Sequence, residues 1–207
     1  MNKKFSSIAE LMVCLEQTIG SDDDIPDHTL ICDGFMMSPE TAKGIHALKV
    51  HLRDEVIVTD RSIPARSKKA GFNVLFDGKA EQAKILTAKL LANQSGLNVQ
   101  KIDLSAVFSK YIGETEKNLN TVFAEAVRNS AILFFDEADA LFGKRTDIKE
   151  AHDKYANAEL LDVIDTVPLL KIFTAKSKSN LDDAFLRRIR NVIHFPGSDE
   201  QDTRVSS

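Results

Sequence analysis

The feature that most constrains the fold of this chain is a series of five short apolar runs separated by segments with helical patterning. The runs cover residues 73–77, 99–104, 131–136, 169–175 and 192–195. They are nearly continuous in apolar residues, as strands buried on both faces of a sheet require. Between them, apolar residues recur at the spacing of amphipathic helices. The pattern predicts a three-layer α/β fold with a parallel five-stranded sheet between two layers of helices.

The first 70 residues lack this alternation and predict an N-terminal helical extension. Residues 7–10 form a capping-box pattern at the start of one helix, and residues 45–56 carry apolar side chains at helical spacing. Residues 61–71 are basic and contain both Pro and Gly, which is typical of a linker. We therefore expect an extension with its linker over residues 1–70 and a core domain over residues 71–207.

Composition and charge exclude several classes of protein. The chain has 207 residues, 43% hydrophobic and 28% charged, with a net charge of −4. Negative net charge argues against non-specific binding to nucleic acid or to anionic membranes. Glu10 and Glu16 interrupt the N-terminal segment, which does not fit a signal peptide, and no apolar run is long enough for a membrane span. We expect a cytoplasmic protein in which Cys14 and Cys32 are buried free thiols.

The strongest functional motif is a buried strand that ends in Asp136 and Glu137. Open α/β sheets bind ligands at the carboxyl ends of their strands, where these two carboxylates fall. In P-loop ATPases an aspartate holds Mg²⁺ and a neighbouring residue orients the attacking water. An ordinary strand followed by an acidic helix start has the same pattern. The position of this strand, one strand and one helix after the first strand of the core, favours the functional interpretation.

A degenerate phosphate-binding loop directly follows the first strand of the core. The segment keeps the frame G-x-x-x-x-x-K, with Gly78 first and Lys84 last. In a working loop, glycines let consecutive N–H groups face the phosphates, and a hydroxyl after the lysine binds Mg²⁺. Here Glu81 and Ala83 stand at inner positions and Ile85 replaces the hydroxyl. The motif predicts weak binding of ATP, with Lys84 either contacting phosphate or lying in solvent.

The carboxylate of Glu81 adds a repulsive effect to the missing glycines. At an effective dielectric constant of about 20, two like charges about 4 Å apart repel by about 4 kcal/mol. That energy corresponds to roughly a thousandfold in affinity. We therefore expect repulsion from Glu81 alone to weaken the binding of a polyphosphate substantially.

Two further motifs point to surfaces rather than to the sheet edge. The turn formed by Lys110, Tyr111, Ile112 and Gly113 precedes a helix that begins with an acidic residue, which places Tyr111 at the tip of a loop. An exposed tyrosine in a turn has by itself no functional meaning. Three arginines, at positions 187, 188 and 190, follow the end of an apolar helix. They either counter the helix dipole in solvent or reach a phosphate in a neighbouring subunit.

From about residue 71 to residue 196, the sequence resembles the large domain of AAA+ ATPases, a P-loop NTPase fold. The resemblance implies ATP and Mg²⁺ as cofactors. It also implies roles for individual residues: Gly78 and Lys84 in the nucleotide loop, Asp136 as the Mg²⁺ ligand, Glu137 as the catalytic residue, Lys176 at the sensor position, Arg187 and Arg190 as arginine fingers, and Tyr111, Ile112 and Gly113 as the pore loop that grips substrate. The family has a helical lid after this domain, and since the sequence stops at Ser207 we expect none here.

With a degenerate loop, the resemblance predicts a weakly or non-hydrolysing partner subunit of a protein-remodelling assembly. An arginine finger acts on the site of a neighbouring subunit, so it stays useful after the site of its own subunit decays. The expected partner is an active AAA+ relative in a mixed ring, with neither nucleic acid nor membrane involved. Two alternatives remain open at this point: an active remodelling ATPase with an unorthodox loop, and a truncated structural scaffold.

Overall fold

A computed structural model describes residues 3–4, 13, 30–32, 35–58, 71–103, 114–144 and 160–197 of the protein. In chain order the strands and helices are β1 (Lys3–Lys4), β2 (Leu30–Cys32), β3 (Phe35–Met37), α1 (Pro39–Val58), β4 (Phe72–Asp77), α2 (Glu81–Gln94), β5 (Asn98–Ile102), α3 (Glu114–Arg128), β6 (Ala131–Phe135), α4 (Ala138–Phe142), β7 (Leu170–Ala175), α5 (Asp183–Leu186) and β8 (Asn191–His194). Residues 160–165 are also helical, and a short 3-10 turn covers Lys178–Asn180.

The central sheet confirms the predicted fold class. Its five strands are all parallel and lie in the order β5-β6-β7-β4-β8. Each predicted strand is found to within two residues at either end. Since β4 pairs with β7 on one side and β8 on the other, the residues that follow β4 lie beside the ends of both neighbours.

Two hydrophobic clusters cover the two faces of the sheet. Successive residues of β6 alternate between them, so that Ile132 and Phe134 pack on one face while Leu133 and Phe135 pack on the other. The first cluster includes buried residues of α1 and α2, and the second includes buried residues of α3, α4, α5 and the helix at 160–165. Burial of each large side chain contributes roughly 1.5–3 kcal/mol. The three layers predicted from the sequence are therefore present.

An aromatic group in the second cluster fixes α4 and α5 against the sheet. The ring of Phe173, in β7, lies 4.7 Å from that of Phe135 and 5.1 Å from that of Phe185. Phe142, at the end of α4, stacks on Phe185 of α5 at 4.8 Å. These contacts hold in place the residues that precede α4 and the arginines that follow α5.

Helix α1 is confirmed and packs on the core. Ile45, Leu48 and Leu52 are buried in the first cluster, and the hydroxyl of Thr41 donates a hydrogen bond to the carbonyl oxygen of His194 at 2.7 Å. The helix therefore shares its core with the central sheet. The predicted helix start at residues 7–10 and the linker at 61–70 lie outside the described residues.

A small sheet was missed by the sequence analysis, which assigned only helices to the extension. Strand β2 pairs in parallel with β1 and antiparallel with β3. Strands of two or three residues are too short to show an alternating pattern in the sequence. Cys14 and the side chain of Cys32, predicted to be buried thiols, lie outside what the structure describes. Of the helices in the described residues, none has the length and apolar character needed to cross a bilayer.

Candidate functional site

The connection between β4 and α2 occupies the place of the predicted phosphate-binding loop, but it is much shorter. Strand β4 ends at Asp77 and α2 begins at Glu81, so only residues 78–80 lie outside regular structure. Residues 81–83 form the first turn of the helix. A phosphate-binding loop holds such residues in a concave turn, with their N–H groups directed at the ligand. The helical turn does not provide that concave surface.

The backbone of this connection is bonded to neighbouring strands. The N–H group of Gly78 donates to the carbonyl oxygen of Ala175 at 3.1 Å, and that of Ala80 donates to the carbonyl oxygen of Phe195 at 3.4 Å. Gly78 has φ +118°, and a Cβ there would lie 2.1 Å from the oxygen of Phe195. Only glycine fits this close approach. Packing against Phe195, the residue after β8, is therefore sufficient to explain why a glycine is needed at position 78.

Lys84 is buried, which corrects the alternative that it lies in solvent. Its side chain is 1% exposed, and its ammonium donates to the carbonyl oxygens of Gly78 at 2.5 Å and Ala175 at 2.8 Å. Burial lowers the pKa of Lys84, and the nearby carboxylates of Glu81 and Asp77 offset part of that shift. In this structure, Lys84 joins the end of β4 to the end of β7.

Asp77 is a polar residue of this edge that the sequence analysis missed. One of its carboxylate oxygens accepts a hydrogen bond from the N–H group of Lys178 at 2.6 Å. The other lies 3.1 Å from Nδ1 of His194. Asp77 therefore connects β4 to β8 and to the turn that follows β7. These contacts depend on the order of the strands, which the sequence alone did not provide.

Asp136 and Glu137 lie at the predicted place, directly after β6. Oδ1 of Asp136 accepts a hydrogen bond from the hydroxyl of Thr174 at 2.7 Å. The same hydroxyl accepts one from the N–H group of Glu137 at 3.1 Å. Thr174 is 4% exposed and was not identified from the sequence, because a threonine in a strand carries no functional signal. It fixes both carboxylate-bearing residues against β7.

The backbone of Glu137 adopts a left-handed conformation, with φ 52° and ψ 47°. For a residue with a side chain, such a conformation costs roughly 1–3 kcal/mol, and residues of this kind cluster at functional sites, although Ser130 adopts a similar φ of 47° in the turn before β6. The side chain of Glu137 is exposed, and α4 begins at the next residue. The geometry leaves this carboxylate accessible to water.

Lys101, at the end of β5, forms an ion pair with Asp136 that the sequence analysis also missed. Its ammonium lies 2.7 Å from Oδ2 of Asp136. Burial alone would raise the pKa of the Asp136 carboxyl, but hydrogen bonds from Lys101 and Thr174 hold it below its usual value. The hydrogen bond to Asp136 likewise raises the pKa of Lys101. Both oxygens of Asp136 therefore have partners within the protein.

Among the described residues, the side chains of Lys176, Arg187 and Arg190 make no hydrogen bond or ion pair with Asp136 or Glu137. Lys176 is exposed after β7, and its N–H group lies 3.3 Å from Oδ2 of Asp139. Arg187 is exposed after α5. Arg190 lies with its guanidinium carbon 5.9 Å from the centre of the Phe72 ring, at the start of β4 and hence at the opposite edge of the sheet. Tyr111, Ile112 and Gly113 are outside the described residues.

Arg188, between the two predicted fingers, has a structural role. Its guanidinium donates to Asp165 at 3.0 Å, to Asp162 at 2.6 Å and to the carbonyl oxygen of Ala184 at 3.0 Å. In the part of the chain that the structure describes, Arg187 makes no ion pair or side-chain hydrogen bond. The bonds of Arg188 fix the turn on which Arg187 is presented to solvent.

Comparison with known proteins finds a family that matches most of this chain. The family model for "ATPase family associated with various cellular activities (AAA)" matches residues 74–197. The chain is 38% identical over 120 residues to the ATPase family gene 2 protein of Saccharomyces cerevisiae, covering 56% of this chain and 15% of that protein. It is 30% identical over 136 residues to the cell division cycle protein 48 homolog of Archaeoglobus fulgidus, covering 62% of this chain and 19% of that protein.

A bacterial relative matches more of the chain. The uncharacterized AAA family ATPase y4kL of Sinorhizobium fredii is 28% identical over 173 residues, which cover 82% of this chain and 50% of that protein. The matched segment thus spans half or less of the length of each of these three relatives.

Proposed function

This chain belongs to the AAA family of ATPases, and we propose that it is a member that binds ATP weakly and hydrolyses it slowly or not at all. Family membership implies nucleotide, usually with Mg²⁺, and action within an oligomeric assembly. In such an assembly this chain serves as a partner to subunits that do hydrolyse ATP. Its contribution is made on the site of a neighbour rather than on its own.

The observation that carries the proposal is the ammonium of Lys84, which is buried against the carbonyl oxygens of Gly78 and Ala175. A triphosphate could reach this lysine only after those two hydrogen bonds break and residues 81–83 leave the helix. A hydrogen bond to a charged group contributes about 1.5–3 kcal/mol, so breaking both costs roughly 3–6 kcal/mol. This is equivalent to about 10²–10⁴-fold in affinity, before the phosphates return any contact.

Arg187 supports the role of partner. AAA assemblies join head to tail, so each subunit presents one surface to the site of its neighbour. An arginine on that surface stabilises the charge of the transition state for phosphoryl transfer and needs no intact site in its own subunit. The exposed position of Arg187, on a turn fixed by Arg188, suits such a contact.

One observation favours the alternative of an active ATPase. Glu137 is exposed directly after β6, in a left-handed conformation of the kind found at active sites. A glutamate at this place could orient water if another arrangement of residues 78–84 admitted ATP. The third alternative is a scaffold that keeps the fold without ring chemistry, and the bonds among the strand ends at this edge are compatible with it.

Titration calorimetry with ATP and Mg²⁺ tests the proposal directly. We expect the purified protein to bind with a Kd weaker than about 100 μM, for the energetic reasons given above. Substituting Glu81→Gly, Ala83→Gly and Ile85→Thr together should tighten binding at least about tenfold, because glycines release residues 81–83 from the helix and remove the carboxylate. Glu125→Gly, at an exposed position of α3, removes the same charge by the same kind of substitution and is the control. Binding in the low-micromolar range by the unmodified protein would refute the proposal.

The substitution Glu137→Gln separates this proposal from an active ATPase. A weakly or non-hydrolysing protein should show little or no turnover before and after the change, and its free energy of unfolding should shift by under about 1 kcal/mol. A glutamate acting as general base would instead give a clear initial rate that falls at least about a hundredfold. The measurement is phosphate release under saturating ATP, and the second result would establish the active ATPase.

A further inference from the structure

The ion pair between Lys101 and Asp136 occupies the place at which the family holds its metal. The ammonium lies 2.7 Å from Oδ2 of Asp136, and the hydroxyl of Thr174 lies 2.7 Å from Oδ1. Thr174 is in turn fixed by the N–H group of Glu137. Mg²⁺ binds carboxylate oxygens at about 2.0–2.1 Å and demands nearly ideal octahedral geometry. The ammonium of Lys101, beside Oδ2 of Asp136, repels a divalent cation and occupies the direction from which a metal would approach that oxygen.

Neighbouring groups do not supply a replacement set of ligands. The side chain of Ile85 has no oxygen and so cannot supply the hydroxyl that binds Mg²⁺ in a working loop. Both oxygens of Asp77 have partners, and Oδ2 of Asp139 lies 3.3 Å from the N–H group of Lys176. Across the described ranges, no group of three or more His, Cys, Asp or Glu residues could hold a metal ion. The residues at this edge therefore do not fit Mg²⁺.

We propose that Lys101 acts as a built-in cation at Asp136 and excludes divalent metal from this edge of the sheet. The inference rests on the proposed function, since a site that cannot hold Mg²⁺ lacks a requirement for efficient phosphoryl transfer. The residue that excludes the metal, Lys101, is on β5 and outside the degenerate loop. Restoring the glycines of the phosphate-binding loop alone would leave Lys101 paired with Asp136.

Lys101 and a divalent cation compete for the same carboxylate of Asp136, so the ion pair need not be strong to exclude the metal. The side chain of Lys101 is 59% exposed and that of Asp136 is 35% exposed, and pairs of this kind contribute only about 0–1 kcal/mol. A divalent cation with a single protein carboxylate also binds weakly, because Mg²⁺ keeps most of its water. A modest competitor is therefore sufficient to decide whether Asp136 is occupied by metal.

Paramagnetic broadening of backbone amide signals by Mn²⁺ tests this inference on the full chain without nucleotide. Mn²⁺ is a suitable probe because it prefers carboxylate and water ligands, as Mg²⁺ does. In the unmodified protein, the signals of residues 136–138 and of Thr174 should broaden only at Mn²⁺ concentrations several-fold higher than in the Lys101 variants. In Lys101→Met they should broaden, and in Lys101→Glu, which places a second carboxylate beside Asp136, they should broaden at lower Mn²⁺ concentrations.

Two controls establish that the effect arises at this pair. Lys89→Met removes the same charge from the exposed face of α2 and should leave the pattern of the unmodified protein. Asp136→Asn, added to Lys101→Met, should abolish the broadening. Selective broadening in the unmodified protein equal to that in Lys101→Met would overturn the inference. Absence of selective broadening in Lys101→Met would also overturn it. Neither measurement involves nucleotide or a partner, so failure here is distinct from failure of the calorimetric test of ATP affinity.

Discussion

Mixed with an active relative from the same cell, this protein is expected to raise the ATPase rate of that relative, and Arg187→Ala is expected to remove most of the stimulation. An arginine finger supplied by a neighbour accelerates turnover by about 10³–10⁵-fold. The physical reason is that a guanidinium neutralises charge developing on the transferred phosphoryl group. The measurement is phosphate release by the relative at saturating ATP, as a function of added partner.

The two predicted fingers should differ in their effect. Arg187 is exposed and its turn is fixed by the bonds of Arg188, so its side chain can extend toward a neighbour. The guanidinium of Arg190 lies over the ring of Phe72, an attraction of about 0.5–1 kcal/mol at an exposed position. We expect Arg187→Ala to remove most of the stimulation and Arg190→Ala to remove less. Arg128→Ala, at the exposed end of α3, is the matched control and should have no effect.

Assembly has to be measured separately from stimulation, for example by mass photometry of the mixture. Lost stimulation with assembly intact supports the finger. If the double variant Arg187→Ala with Arg190→Ala stimulates as much as the unmodified protein, neither arginine is a finger and both simply lie in solvent near the end of a helix. If no active relative joins the protein in a complex, the scaffold is the better description of its function.

The parts of the fold that follow from local pattern were predicted from the sequence. Continuous apolar runs identify strands buried on two faces, so β4 to β8 and the position of Asp136 and Glu137 after β6 were all found in advance. The start of α2 at Glu81 was not predicted. Residues 81–83 are good helix formers in the absence of glycine, so the substitutions that remove the loop also extend the helix, and the prediction included only the first effect.

Contacts between strands account for what the sequence analysis missed. Lys101, Thr174 and Asp136 stand on or directly after three different strands, and they meet only because β6 lies between β5 and β7. No residue pattern along the chain specifies that order. The same holds for Asp77 and His194, which meet because β4 pairs with β8. Local periodicity therefore located the carboxylates, while their partners required the topology.

The substitution Lys84→Met is expected to lower the free energy of unfolding by about 2–4 kcal/mol. The carbonyl oxygens of Gly78 and Ala175 would lose a buried donor, and each unsatisfied polar group costs about 1–3 kcal/mol. Relief from burying the ammonium offsets part of that cost, as does the remaining bond from the N–H group of Gly78 to Ala175. In a working phosphate-binding loop the same change would remove nucleotide affinity and have little effect on the stability of the free protein.

Urea denaturation of Lys84→Met, with Lys89→Met on the exposed face of the same helix as control, measures this loss. The control should shift stability by less than about 0.5 kcal/mol, as surface changes do. The pH dependence gives a second readout, because the folded state lowers the pKa of Lys84 while the unfolded chain keeps the usual value. Between those two values the unfolded state binds more protons, so stability should rise with pH. Lys84→Met should lack that rise relative to the unmodified protein. A variant as stable as the control and with the same pH dependence would show that Lys84 is not bonded within the folded protein, and the main support for a closed nucleotide site would be lost.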